Sequence, residues 1–508
     1  MGATSSLERE FKLSAPARFR LPRLDGLGPS VAATPEDVQR TTSVYWDTED
    51  LRLTRWGCGL RHRSSDGWTV KLAAAEQGPA VVRREFRLTG PPPQPPESAL
   101  DLVLALSRGA PLRPIARFRT IRRRVRLLDA SARELAHVTN DHVAVFEGRR
   151  ITRRFREVEV ELAGHCPPAI AESVLARLRR AGTGPAHRIA KHERALGLES
   201  GVVPEVTLPS VGAEDAAGEV VRLALAVSVR ALVRHDAGVR ADEDLEDVHQ
   251  MRVATRRLRS HLRTFLPLLE ADWTRTLRAD LQELGTALGR VRDADVLRER
   301  LLAAQQEIPE LDRRAVKDLL QSLEAARETD LERLLRLLRS PEYVSVVERL
   351  IEAARSPRLR PEAHGPALEL LAPLVWARWK RLARGVAKLG EPPSETDLHA
   401  VRIRAKHVRY AAETVTPVFG RPARRFARAA RRVQQVLGDH QDAVVAGTWL
   451  RDAATRVGRD AAFAAGALAA REARIARESL EQWREVWRDA SERGRRDWLR
   501  RTLSIRPV

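Results

Sequence analysis

The chain is short of the residues that staple or anchor proteins. It has two cysteines, Cys58 and Cys166, in 508 residues. That excludes a disulfide-scaffolded secreted domain and a cysteine-based zinc site. It has no run of about 18 apolar residues, and the alanine-rich stretch 461–470 is too short to span a bilayer. Met1 to Leu13 carries charge almost at once, without an apolar h-region, so no secretory signal is expected. These absences lead us to expect a cytoplasmic protein without a membrane partner. Aromatic residues make up only 5%, and acids are outnumbered: 68 Asp+Glu against 89 Lys+Arg leave a net charge of +21. Lysine is scarce as well, supplying seven of those 89 cations. An arginine skew can follow from a GC-rich genome, so one arginine at one position says little. The net excess says more and points to an anionic partner. With 43% hydrophobic and 31% charged residues, the chain has the means to bury cores, and its length allows two to four domains.

Two parts read differently. Residues 1–200 hold short stretches of alternating polarity, such as Glu8–Leu13, Gly59–Arg63, Trp68–Leu72, Arg83–Leu88 and Glu157–Leu162. Such a period of two predicts strands. Ser65-Asp66-Gly67 is a hairpin signal between two of them. Residues 169–181 read as a helix, and the prolines at 91–93 and 95–96 read as a rigid connector. A Gly/Pro/acidic segment, 201–214, reads as a linker. Residues 215–508 are rich in Arg, Leu and Ala, with proline mainly at breaks, and predict eight or more helices. The fold class is therefore α+β: an antiparallel sheet domain followed by an all-α domain.

The helical part repeats itself. His249, Arg252, Arg256 and Arg259 align with His399, Arg402, Lys406 and Arg409 at an offset of 150. Leu288-Gly289 and Asp293-Ala294 align with Leu437-Gly438 and Asp442-Ala443 at 149. Two separated motifs holding nearly one offset indicate a duplicated helical bundle. A pseudo-two-fold arrangement would bring the copies together.

In the first part, Glu8, Glu10 and Lys12 share one strand face, as do Glu157, Glu159 and Glu161. Arg61 and Arg63 share another, as do Arg83 and Glu85, and Arg122 and Arg124. If these faces line one closed barrel, carboxylates suited to a hard cation stand beside cations suited to phosphate oxygens. If they face solvent, Leu7, Phe11 and Leu13 point inward instead. Alternation does not choose between the two.

The ordered set of motifs does choose. Glu8-x-Glu10-x-Lys12 resembles the ExExK signature of the CYTH superfamily, the triphosphate tunnel metalloenzymes. Tyr45-Trp46-Asp47-Thr48 through Leu51, Leu60-Arg61-x-Arg63, Trp68–Leu72 with Lys71, Arg83-x-Glu85 and Arg122-x-Arg124 follow in the family's order. Ala136–Val143 with Asp141, Glu159-x-Glu161, and Ala190-Lys191 through Leu196 complete it, with Ala190 where the family often has Ser. The resemblance covers about 5–198. It implies an antiparallel barrel tunnel that binds a triphosphate with Mg²⁺ or Mn²⁺. By that carry-over Glu8, Glu10, Glu159 and Glu161 are metal candidates, and Glu8, Glu10 and Lys12 are catalytic candidates. Arg61, Arg63, Lys71, Arg122, Arg124 and Lys191 would hold phosphate.

In the helical part, His249, Arg252, Arg256 and Arg259 fall within about 80° of one helix face. His399, Arg402, Lys406 and Arg409 do the same. Stacked like charges repel unless solvated, paired with acids or facing a polyanion. A solvated face is the bland reading of one such helix; repetition of the whole face weakens it. Metal ligation by the histidines is disfavoured by the adjacent arginines. Asp293, Asp442, Gly289 and Gly438 read as structural, and His407 and His440 as weaker anion contacts. The repeated face with its later L-G-x-x-x-D-A resembles the CHAD domain over roughly 215–500. That family implies two pseudo-symmetric bundles binding inorganic polyphosphate.

The two resemblances together imply a hydrolase of inorganic triphosphate or a related triphosphate, joined to a polyphosphate-binding domain that would draw it to polyphosphate granules. A non-enzymatic polyphosphate binder is the alternative. Scarce aromatics disfavour nucleic acid. The sequence leaves oligomeric state open.

Overall fold

The computed structural model describes residues 4–28, 31–77, 80–305 and 310–504. They form two compact units, one of Met1–Glu205 with Asp236–Glu243, the other of Val206–His235 with Asp244–Val508.

The first unit contains β1 (Thr4–Ala15), β2 (Ala32–Ala33), β3 (Asp37–Asp47), β4 (Gly59–Arg63), β5 (Gly67–Gln77), β6 (Ala80–Leu88), β7 (Arg113–Leu128), β8 (Glu134–Glu147), β9 (Arg150–Leu162) and β10 (Ala186–His187). Its helices are α1 (Arg52–Arg55), α2 (Glu97–Leu102), α3 (Leu104–Ser107), α4 (Pro168–Arg180) and α5 (Lys191–Ala195). Eight strands close into an antiparallel barrel in the order β1-β6-β5-β4-β3-β7-β8-β9. Closure falls on β1. Its first half pairs with β6 through Glu8↔Arg83, and its second half with β9 through Glu10↔Glu161 and Lys12↔Glu159. The β4–β5 hairpin turns at Ser65–Gly67, with Gly67 at φ +76°, a left-handed value that suits glycine.

Both faces of β1 are buried over Glu10–Leu13, while Leu7 and Arg9 before them are exposed. Glu10 and Lys12 point inside, while Phe11 and Leu13 join Val158, Val160, Leu175 and Leu178 in an apolar layer beneath α4. A strand covered on both sides explains why its alternation was ambiguous: charge marks the interior and leucine the outer layer. At one end of the barrel, Tyr45, Phe118, Val143 and Val145 pack with Phe155, Ala195 and Leu196, so charge is confined to the rest of the interior.

Two expectations change in detail. The leucine that enters the core after Tyr45–Thr48 is Leu53, fully buried. Leu51 instead turns the chain at φ 57°. Asp47 explains the turn: its carboxylate accepts from the amides of Thr48, Leu53 and Thr54 and from the Thr54 hydroxyl, at 2.7–2.9 Å. Segment 201–214 has neither helix nor strand, but it does not hang free at its start. Buried Glu205 receives the Arg108 guanidinium at 2.6 Å and the Trp56 indole at 2.7 Å.

Among the described residues the second unit holds α6 (Ala217–Ala241) up to His235 and nine whole α-helices: α7 (Leu245–Thr264), α8 (Ala271–Gln305), α9 (Glu310–Leu338), α10 (Pro341–Arg355), α11 (Ala367–Ala387), α12 (Glu395–Thr414), α13 (Thr416–Ala454), α14 (Arg459–Ala490) and α15 (Asp497–Ser504). Gly420, at φ +61° and ψ −134°, breaks the first turn of α13 from the rest. The duplication is visible in the backbone. The amide of Ala217 donates to Gly365 O and that of Ala367 to Asp215 O, both at 3.0 Å; the two donors are 150 residues apart, as are the two acceptors. Such reciprocal contacts are the mark of a two-fold relation.

Candidate functional site

Alternation along the closed strands carries charged side chains from β1, β4, β5, β6, β7, β8 and β9 into the barrel. Lys12 lies 3.4 Å from Glu10 and 3.6 Å from Glu159. Lys71 pairs with Glu8, and with Glu85 at 2.7 Å. Arg122 grips Asp141 through Nε at 2.9 Å and Nη2 at 2.7 Å, and Nη2 reaches Glu159 at 2.9 Å. Lys191, at the start of α5, lies 2.5 Å from Asp141 and 3.3 Å from Glu159. Glu161 is held by His137 at 3.0 Å. Arg61 differs from these. It is buried, its Nε has no acceptor, and it has no carboxylate partner among the described residues. Arg63 pairs with Asp66 at 2.7 Å but also buries an unpartnered Nε. Arg124 pairs with Asp37 at 3.4 Å, apart from the central group.

The electrostatics follow this layout. Burial works against the charge of Glu159, yet Lys191, Lys12 and Arg122 hold it well below the usual carboxylate range. Glu85, likewise opposed by burial, is pulled down to about 2 by Lys71 and Arg61. Glu8 is raised, first by burial and then by Glu161, Glu10 and Glu85, with Lys71 opposing. Tyr45 is buried, which alone would raise its phenol; Arg61, Arg63, Lys191 and Lys12 outweigh that and lower it. His192 stacks on Tyr45 at 4.7 Å and is pushed down to about 3 by burial and nearby cations. It stays neutral and meets the Thr54 hydroxyl at 3.2 Å. Ala190, standing before Lys191, has no side-chain oxygen for a cap, but Glu193 still accepts its amide at 2.7 Å.

Several interior residues escaped the sequence reading as site residues. Asp141 and Glu85 lay inside quoted motifs and are the direct partners of Arg122, Lys191 and Lys71. Glu157, the extra glutamate of β9, is fully buried between Lys191 at 3.5 Å and Arg194 at 3.2 Å. The buried hydroxyls of Thr69 and Thr139 have no partner and stand in register with Arg61 and Glu159. Isolated threonines carry no sequence signal; the face of each strand would have revealed them.

Four carboxylates on one wall offer the oxygen donors that a hard divalent cation takes. Among the described residues no three acids, histidines or cysteines are placed so that they could hold a metal ion. The fit rests instead on the buried Glu10 Oε1, which accepts no hydrogen bond, and on the mutual repulsion of Glu8, Glu10 and Glu161. The donor set suits the cation.

In the second unit both copies of the basic motif converge on one cavity of about 920 Å³. His249, Arg252, Arg256 and Arg259 line it from α7, and His399, Arg402 and Lys406 from α12. Arg409 is not on its wall; Glu413 at 2.7 Å and Gln434 at 3.1 Å hold its guanidinium. Asp293 holds Arg252 at 2.8 Å and Asp442 holds Arg402 at 3.4 Å. Gly289 and Gly438 face those same guanidiniums at 3.7 and 3.6 Å from where a Cβ would lie. The glycine and aspartate of each copy thus seat its arginine. Lys406 has no carboxylate partner among the described residues, and burial followed by Arg402, Arg256 and Arg252 pushes it down to about 6. His407 lines the cavity. His440 does not: it is buried, bonded to Glu395 at 2.9 Å and to the Ala476 carbonyl at 2.9 Å.

A closed barrel with a charged interior, joined to a duplicated helical bundle with a shared basic cavity, defines a class. The family model for the CYTH domain matches residues 6–191, and that for the CHAD domain residues 223–451. The chain is a CYTH–CHAD two-domain protein, and its barrel has the triphosphate tunnel fold, whose family generally depends on a divalent metal. It is 32% identical to an uncharacterised protein of Mycobacterium tuberculosis over 515 aligned positions, 94% of each chain. Among solved structures it is similar to the CHAD domain from the plant Ricinus communis, with 26% identity, TM-score 0.44, and coverage of 54% of this chain and 95% of that one. It is also similar to HpAC1 from Hippeastrum, an adenylyl cyclase candidate described as having a dominant triphosphatase activity. There the identity is 14%, the TM-score 0.25, and the coverage 39% of this chain and 98% of that one. No helix among the described residues is long and apolar enough to cross a membrane.

Proposed function

We propose that the barrel hydrolyses inorganic triphosphate or a closely related triphosphate, and that the helical unit binds inorganic polyphosphate. The observation that carries this reading is a buried cation without a carboxylate partner: Arg61 in the tunnel. Glu85 and Glu8 favour its charge without bonding it, so its guanidinium donors are left for the oxygens of a phosphate chain, whose geometry they fit. Lys406 in the groove also lacks a carboxylate partner among the described residues and is pushed down to about 6, so an arriving phosphate chain would favour its charged form.

Lys12, Arg61, Arg63, Lys71, Arg122 and Lys191 hold the phosphate oxygens and offset charge on the leaving phosphate. Glu10, Glu8, Glu159 and Glu161 would hold Mg²⁺ or Mn²⁺, which supplies further charge neutralisation when bound. Glu8 stands beside these groups, where a carboxylate orients the attacking water. Tyr45 and His192 support Arg61 from the apolar end.

The test is phosphate release from inorganic triphosphate with and without Mg²⁺ or Mn²⁺. Wild type should release phosphate only with metal, and Glu10→Gln and Glu159→Gln should each lower kcat at least a hundredfold, in line with the loss of a transition-state contact of roughly 3 kcal/mol. Folded wild-type protein that releases nothing with either metal, yet binds polyphosphate, would leave a binding protein in place of the enzyme.

A further inference from the structure

The two-fold relation is not kept along the whole groove. Past the paired centre, the charges of the two copies diverge. Arg263, in the last turn of α7, has Glu413 of α12 as its counterpart 150 residues on. Arg378 and Arg381 of α11 correspond to Ser228 and Ala231 of α6. Arg278 of α8 corresponds, at the offset of 149, to Ala427 of α13. Burial supports these alignments: Leu277 with Phe426, Val229 with Trp379, and Leu232 with Leu382 are all core pairs.

On the first side, Arg259, Arg263, Arg278 and His407 line the cavity. Arg378 donates to the backbone carbonyl of Arg263, which brings α11 to the cavity's edge. Arg381 follows one turn later, exposed. Arg263, Arg278, Arg378 and Arg381 have no carboxylate partner among the described residues. Their crowding shows in Arg378, pushed down to about 10 by burial and then by Arg381, Arg263 and Arg278. On the other side three arginines are tied to one carboxylate, and none of them lines the cavity. Glu413 accepts from Arg409 at 2.7 Å, Arg431 at 3.0 Å and Arg257 at 3.2 Å. Tyr410, the aromatic on the cavity wall, has Arg257 and Arg409 over its ring at 5.5 Å, leaving no platform on which bases could stack.

We infer that a linear polyphosphate chain leaves the paired centre on one side only, over Arg263 and Arg278 to Arg378 and Arg381, so that long chains gain contacts that short ones never reach. This rests on the polyphosphate reading above and adds a direction and a length preference to it. The extension is a run of cations without carboxylate partners among the described residues, which a polyanion rewards by releasing its own counterions.

The experiment measures affinity of the full chain, without divalent metal, for a short and a long size-fractionated polyphosphate across a salt series. Wild type should bind the long fraction more tightly and with a steeper salt dependence. Arg378→Ser with Arg381→Ala installs the residues of the other copy. It should lower long-chain affinity roughly tenfold and reduce the log–log salt slope by about 1 to 2, leaving the short fraction unchanged. Arg381→Ala alone, at an exposed position, should move both in the same direction by less, even if the substitution at Arg378 disturbs packing. Long-chain affinity and slope unchanged in both variants would overturn the inference. Failure of the underlying reading looks different: Arg256→Ala with Arg402→Ala would then change binding of neither fraction. A single-stranded oligonucleotide of equal charge that binds as tightly, and loses as much in the double variant, would replace polyphosphate by nucleic acid and also overturn it.

Discussion

At the scale of the residue, lysine is the informative cation. Four of the chain's seven lysines, Lys12, Lys71, Lys191 and Lys406, stand in the tunnel or the groove. Against such an arginine-rich background their positions were legible, and each fell within a quoted motif. What the sequence did not carry was their environment. Lys406 is held at about 6, below its unfolded value, so its charge costs stability. That penalty is full below pH 6 and fades as pH rises toward the unfolded value near 10. Lys406→Met should therefore raise the stability of the free protein by about 1–4 kcal/mol at pH 7. The difference in thermal midpoint between variant and wild type should shrink as pH rises from 6 to 9. Polyphosphate restores the charge, so wild-type affinity should fall with pH over the same range and the variant's should fall less. Midpoints and titrations at three pH values check both statements.

At the scale of the element, β1 and β9 divide function and stability between their faces. Phe11→Ala or Leu13→Ala, beneath α4, should cost about 3–5 or 2–5 kcal/mol respectively by denaturant unfolding. Their neighbours Glu10→Gln and Lys12→Met should instead cost turnover, with losses alternating residue by residue. Activity loss without alternation would contradict the barrel's inside and outside. The strands themselves were legible from their period of two, and the motif order supplied which face points inward. Asp141 and Glu85 were not singled out because a lone acid in a strand looks like any solvated acid; only closure of the barrel sets them against Arg122, Lys191 and Lys71. Asp47 was legible as part of a motif, but its task is to hold the turn that buries Leu53, which no spacing rule states.

At the scale of the whole molecule, duplication was legible because two motifs kept one offset. The reciprocal Ala217–Gly365 and Ala367–Asp215 bonds extend it to α6 and α11, where no motif survives to be read. Departures from symmetry were hidden for the same reason: an unpatterned Ser228 beside an unpatterned Arg378 means nothing until the helices are superposed. If Glu413 closes one end of the groove, Glu413→Gln should free Arg257, Arg409 and Arg431. Long-chain polyphosphate should then bind more tightly, roughly tenfold, with a steeper salt slope. An unchanged slope would place those arginines outside the ligand's reach.

The way β1 closes the barrel has a consequence for biosynthesis. It is the first strand to be made, yet one of its two partners is the last long strand of the barrel. At about 5–20 residues per second, roughly 7 to 30 s separate the emergence of Lys12 from that of its partner Glu159. Throughout that interval the second half of β1 lacks its β9 partner, and an unpaired edge is the kind of segment that recruits other chains. Glu8, Arg9, Glu10 and Lys12 charge that edge while it waits. The side chains proposed for phosphate and metal would then also discourage pairing between nascent copies.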